Sequence, residues 1–144
     1  MYSARTALLL ACAGMFSLAA CGNDSSTTTS PSPTPAPATI SESFTASIPV
    51  GGSVFYSFSI AQYGNVAVTL TGISGVDVPD GVTLNVGIGQ PAGTSCTTST
   101  SVAAAANDTA QVTGNYGPGI FCVRVYDSGT LTSPVTVTAA VAHS

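Results

Sequence analysis

The chain has 144 residues, 44% of them hydrophobic and only 6% charged, with a net charge of −4 at neutral pH. Its two basic residues, Arg5 and Arg124, cannot form the clustered positive surface that displaces counterions from nucleic acid. The same shortage disfavours anionic lipid headgroups. The apolar fraction is ordinary for a folded domain and argues against wholesale disorder.

In chain order, residues 1–20 come first. They carry Arg5 near the amino terminus, then the apolar stretch Ala7 to Ala13, continued by Met15, Phe16 and Leu18, and closed by Ala19 and Ala20. That is the layout of a secretory signal peptide. The apolar part falls well short of the roughly 20 residues that a membrane-spanning helix needs. The stretch ends on Leu18-Ala19-Ala20-Cys21, followed by Gly22. This resembles the lipobox of bacterial lipoproteins. The resemblance implies that Cys21 becomes the first residue of the mature chain. Its sulfur takes a diacylglycerol, and its new amino group takes a further acyl chain such as palmitate. A thiolate is the nucleophile suited to that transfer, and two or more acyl chains make a stable anchor where one does not. Gly22 stands where an inner-membrane retention aspartate would sit. The resemblance therefore implies a lipid-anchored envelope protein of the outer membrane, without fixing the leaflet. After cleavage, Cys21 to Ser144 retain six carboxylates against Arg124 alone.

Residues 21–39 form the next unit, a lipidated cysteine followed by NDSSTTTSPSPTPAPAT. Serine, threonine and alternating proline cannot build a core. They favour extended polyproline geometry, and so a semi-stiff spacer reaching roughly 50 Å.

Residues 40–144 read as one β domain. Ser43 to Ile48 suggests a first strand. Val54, Tyr56, Phe58 and Ile60 alternate with Phe55, Ser57 and Ser59, the two-residue period of a strand with one buried face. Asn65 to Ile73 repeats it, with Val66, Val68 and Leu70 inward and Thr69 and Thr71 outward. Val82, Leu84, Val86 and Ile88 form another stripe. Val102 to Ala106 reads as a helical turn in a long loop after Cys96, and Ala110 to Thr113 as a short strand. Phe121, Val123 and Val125 follow, with Arg124 and Tyr126 on the opposite face, and Val135, Val137, Ala139 and Val141 close the pattern. Turn signals separate the strands at Pro49–Gly52, Tyr63-Gly64-Asn65, Pro79-Asp80-Gly81, the run Gly114 to Gly119, and Asp127-Ser128-Gly129. Six or more short strands with regular turns predict an all-β, antiparallel β-sandwich.

Three segments of this domain, VGGSVFYSFSIAQYGNVAVTLTG, VTLNVGIG and GNYGPGIFCVRVYDSGTLTSPVTVTAAV, resemble the bacterial pre-peptidase C-terminal domain. The shared features are an opening turn before an aromatic strand, a Gly-bounded valine–threonine strand and a late strand, here Gly119 to Tyr126. The resemblance spans residues 41–142 and implies a small jelly-roll-like sandwich. Members commonly ride on a catalytic domain, and no such domain is visible in this sequence.

Of the four cysteines, Cys12 leaves with the leader and Cys21 is the lipidation candidate. Cys96 and Cys122 remain as a pair in an oxidising compartment, where a structural disulfide is the expected state. Such a bridge stabilises by about 3 to 4 kcal/mol through chain entropy. A metal pair would want further ligands nearby, and a redox pair would more commonly be a close C-x-x-C.

Catalysis needs a nucleophile, a base and an orienting group. The one histidine, His143, sits beside Ser144, where chain ends fray, and no serine lies in a G-x-S-x-G elbow. No enzymatic activity and no cofactor are expected. Asp77, Asp80 and Asp127 are weak candidates for calcium, which takes oxygen ligands from loops; aspartate before glycine is also plain turn chemistry. Tyr116 in GNYGPG is the leading candidate contact residue, with Tyr63 and Tyr126 beside it, since a tyrosine at a turn offers a stacking face. Together these features predict a membrane-anchored lipoprotein displaying a non-catalytic binding module for an envelope protein or a glycan. The other reading is a structural spacer or accessory subunit of an envelope assembly.

Overall fold

The computed structural model describes Ala36 and residues 38–144, so the expected leader, Cys21 and nearly all of the expected spacer lie outside the described residues. The expected all-β sandwich is present. Eight strands follow one another: β1 (Ile40–Ile48), β2 (Ser53–Ile60), β3 (Gly64–Ser74), β4 (Leu84–Ala92), β5 (Ser95–Ala104), β6 (Val112–Tyr116), β7 (Gly119–Tyr126) and β8 (Val135–His143). They form two antiparallel four-stranded sheets, ordered β1-β8-β3-β6 and β2-β7-β4-β5. Nested pairing underlies this order. β1 lies against β8, β2 against β7, β3 against β6 and β4 against β5. That is one long hairpin rolled upon itself, the jelly-roll arrangement.

The period-two stripes become the core. Ile48, Val66, Val68, Leu70, Val137 and Val141 from one sheet meet Phe58, Leu84, Val86, Ile88, Val123 and Val125 from the other. Alternation places these side chains on one face of each strand. The serines and threonines between them face out. Thr45 and Thr138, for example, are cross-strand partners whose hydroxyls hydrogen-bond at 3.1 Å.

Several expectations are corrected. Val102 to Ala106 is not a helical turn, because β5 occupies Ser95–Ala104 and pairs along β4. Only Cys96 and Ala104 of this edge strand are buried, so no apolar stripe marked it. The run Gly114 to Gly119 is not all turn. β6 continues through Gly114, Asn115 and Tyr116, paired with Val66, Asn65 and Gly64. Gly64 and Asn65 are likewise strand residues rather than turn. His143 does not fray. It is the last residue of β8, paired with Ile40, and is 2% exposed.

The Cys96–Cys122 disulfide is formed, with Cα atoms 6.0 Å apart and a sequence separation of 26. It joins β5 to β7, the two neighbours of β4. The bridge spans the outward side of β4, where Gly87 and Gly89 stand. A Cβ at Gly87 would meet the Thr100 carbonyl oxygen at 2.6 Å, and one at Gly89 would collide with the Thr97 carbonyl oxygen. The two glycines let β5 curl close over β4, and the pairing register shifts at Ile88/Gly89.

Candidate functional site

Three groups of polar or aromatic side chains lie apart from the plain aliphatic core. The first is a clip at one end of the sandwich. Asp127 follows β7 and is 7% exposed. Its Oδ1 accepts hydrogen bonds from the backbone N–H groups of Gly129 (2.9 Å), Thr130 (2.8 Å) and Leu131 (3.2 Å). Its Oδ2 accepts from the N–H of Gly51 at 2.8 Å, and its own N–H donates to the Gly52 carbonyl at 3.0 Å. Burial pushes the carboxyl pKa up, and the four backbone donors outweigh that and hold it at about 2. Asp127 thus ties the β1–β2 turn to the β7–β8 loop. Among the described residues, no group of three His, Cys, Asp or Glu side chains is arranged to hold a metal ion. Asp77 and Asp80 stay in the β3–β4 loop, with Asp80 lining a shallow pocket beside Pro79 and Gly81.

The second group lies at the opposite end, between β1, β2 and β8. Glu42, Phe44, Ala46 and Ile48 share one parity along β1 and face inward. His143 shares the parity of Val135, Val137, Ala139 and Val141. The two meet, with His143 Nε2 3.0 Å from Glu42 Oε1. The Tyr56 hydroxyl donates to Glu42 Oε2. These bonds, from Tyr56 first and then His143, hold the Glu42 carboxyl below its usual range against the opposing effect of burial. The bond to Glu42 raises the Tyr56 phenol. Sequence reasoning missed both Glu42 and Tyr56 as polar partners, although the parity of Glu42 with Phe44 and Ile48 was there to be read.

The third group is a cleft of about 490 Å³ between the sheets, on the side where β5 and β6 are the edges. Gly89, Gln90, Thr97, Thr98, Ser99, Tyr116 and Phe121 line it, none of them charged. Tyr116 and Phe121 meet edge to face with ring centroids 5.1 Å apart. The Tyr116 ring lies over Gly114, where a Cβ would come within 2.7 Å of Cε2. This is why the strand carries glycine there. Phe121 continues to Phe58 at 6.3 Å, and Phe58 to the His143 ring at 5.2 Å. One layer of rings therefore crosses the sandwich from the cleft to the Glu42 group.

The three tyrosines named from sequence do not share a site. Tyr116 is half-buried in the cleft. Tyr63 is 69% exposed beside a separate pocket with Asn65 and Ser144. Tyr126 sits at the far end of β7, under the guanidinium of Arg124. Volume and lining suit the third group to holding a small ligand; the first two spend their polar atoms on the fold, apart from His143 Nδ1, which is buried without a partner among the described residues. No protein-family model matches the chain, and no curated protein matches it.

Proposed function

We propose that this protein is a lipid-anchored bacterial envelope protein whose β-sandwich is a non-catalytic binding module. The anchor is the lipid expected on Cys21, the spacer is residues 21–39, and the module resembles the pre-peptidase C-terminal domain. The observation that carries the binding reading is the uncharged cleft around Tyr116 and Phe121. Its two rings offer an apolar surface, and the Gln90 amide with the Thr97, Thr98 and Ser99 side chains offers hydrogen-bonding groups around it. That combination suits a ligand with an apolar face and peripheral hydroxyls or amides, such as a sugar ring or a short peptide segment. The non-catalytic part of the reading rests on His143, whose Nε2 is engaged by Glu42 and whose ring is buried beside Phe58. No substrate reaches a general base in that position.

The test compares wild-type protein with Tyr116→Ala in cross-linked capture from the native envelope. A glycan or protein retained by wild type and lost by the variant supports the module. Equal recovery by both variants refutes the cleft and favours the spacer reading. In the same cells, Cys21→Ser is expected to move the protein out of the detergent phase. A variant that still partitions into detergent overturns the anchor.

A further inference from the structure

On the other side of Thr97 and Thr98 lies a second cleft, of about 390 Å³. Its floor is the outward face of β2 and β7, where Phe55 and Arg124 are cross-strand partners. Its wall is Thr94 to Thr98 at the start of β5, and the Cys96–Cys122 disulfide fastens that wall to β7. The Arg124 guanidinium stands 4.8 Å from the ring centroid of Tyr126, and one of its N–H groups donates to Ser53 Oγ at 3.3 Å. A guanidinium has five such donors, and this is the one side-chain bond it makes among the described residues. No described carboxylate lies within ion-pair distance of it, since the ion pair of the described residues is His143–Glu42.

Arg124 is the only lysine or arginine after residue 5, in a chain with six carboxylates. Among the described residues, a surface so short of ions has placed its one lysine or arginine in a cleft, held it against a ring and left it without an anion. The flanking groups are also specific. Phe55 is 39% exposed, and Ser53, Thr94, Ser95, Thr97 and Thr98 surround the cleft with hydroxyls.

We propose that this cleft is a subsite for the carboxylate of an acidic sugar, a uronic-acid residue. The guanidinium fork matches a carboxylate in geometry and charge. Phe55 offers an apolar face to the C–H side of a pyranose, and the serine and threonine hydroxyls meet its hydroxyls. One cation fits one carboxylate, and the net negative charge of the chain repels a densely charged polyanion. The inference rests on the binding-module reading, with Thr97 and Thr98 lining both clefts.

The experiment is calorimetric titration of the full-length protein in detergent with an oligosaccharide that carries a single uronic-acid residue on otherwise neutral sugars, and with the methyl ester of the same oligosaccharide. Wild type is expected to bind the acid about tenfold to a hundredfold more tightly than the ester, the scale of a charge-assisted hydrogen-bonded pair. That preference collapses in Arg124→Gln, and Arg124→Lys restores only part of it. Thermal melting of each variant checks that the fold is retained. Equal binding of acid and ester by wild type, or a preference that survives Arg124→Gln, overturns the carboxylate subsite and leaves the Tyr116 cleft standing. Binding of neither sugar overturns the saccharide assignment. Arg124-dependent binding of a neutral peptide with a free C-terminus, absent for its C-terminal amide and for the sugar, overturns it in favour of a peptide carboxylate.

Discussion

Asp127→Asn tests the corner of the fold most directly. The substitution keeps the size and one oxygen of the side chain. That oxygen remains for the N–H groups of Gly129, Thr130 and Leu131, now without charge. The new amide NH₂ faces the Gly51 N–H that Oδ2 accepts in wild type, so donor meets donor. The wild-type carboxyl has its pKa depressed from 3.8 to about 2. At about 1.4 kcal/mol for each pH unit this sets a ceiling of about 2.5 kcal/mol. Solvent at the loop surface brings it to about 1–2 kcal/mol. Loss of the Gly51 bond adds about 1 kcal/mol, so the variant is expected to be about 2–3 kcal/mol less stable at pH 7.

The pH dependence is the sharper readout. Because the folded pKa lies below the unfolded one, the charge contributes fully above pH 3.8, and its contribution is lost as pH falls through about 2. Urea unfolding with the disulfide intact, followed by tyrosine fluorescence at pH 7, 4, 3 and 2, gives both curves. The gap between wild type and variant should narrow to about 1 kcal/mol by pH 2. A gap that stays constant from pH 7 to pH 2 would show that the backbone donors gain nothing from the charge, and the reasoning fails.

Replacing both Cys96 and Cys122 by serine opens a loop of 26 residues and is expected to cost about 3–4 kcal/mol, a fall of roughly 15 °C in Tm by differential scanning calorimetry. Gly89→Ala drives a methyl into the Thr97 backbone and should lower the urea midpoint by the equivalent of at least 2 kcal/mol. Gly117→Ala, with nothing within 4 Å of its Cβ, should leave that midpoint within about 0.5 kcal/mol of wild type. Tyr56→Phe removes the donor to Glu42. Since the Tyr56 pKa is raised above 10.0, its contribution is full below pH 10 and lost as pH rises past the folded value. The deficit of the variant at pH 8 should therefore shrink above pH 10 in the same denaturation assay.

What the sequence disclosed follows how each strand is buried. β2, β3, β4, β7 and β8 each press one face into the core, so their apolar residues recur at every second position and were legible. β5 is an edge strand open to solvent along most of its length, and SCTTSTSVAA carries no stripe for the eye to follow. β6 was cut short because Gly114 reads as a turn. Its reason for being glycine, the Tyr116 ring lying over it, belongs to the folded chain. Cys96 and Cys122 were paired by compartment and count, and the structure joins them. Tyr116 was picked out for its loop, and it belongs instead to a strand end that faces a cleft. The parity of Glu42 and His143 pointed inward at both ends, but two charged or titratable residues in a small core run against expectation until they are seen to face each other.

That inward pair also lies beside an edge of the sandwich. Among the described residues four edges are open: β1 and β6 in one sheet, β2 and β5 in the other. Exposed edges recruit further strands unless something blunts them, and this chain has no lysine to place there. β6 is only five residues long. β5 meets β4 across a register shift and is pinned by the disulfide. β1 carries Glu42 on its inner side, 30% exposed at the side chain, and a strand laid along β1 would strip the remaining water from that carboxylate. β2 has the weakest defence: eight residues, no charge, and Phe55 open on its outward face. A strand added to this sandwich would therefore meet the least resistance along β2. Phe55 and Ser53 are also the rim of the Arg124 cleft. A strand added there would cover the rim of the cleft proposed for the acidic sugar, so that strand addition and sugar binding would exclude each other on one side of the molecule.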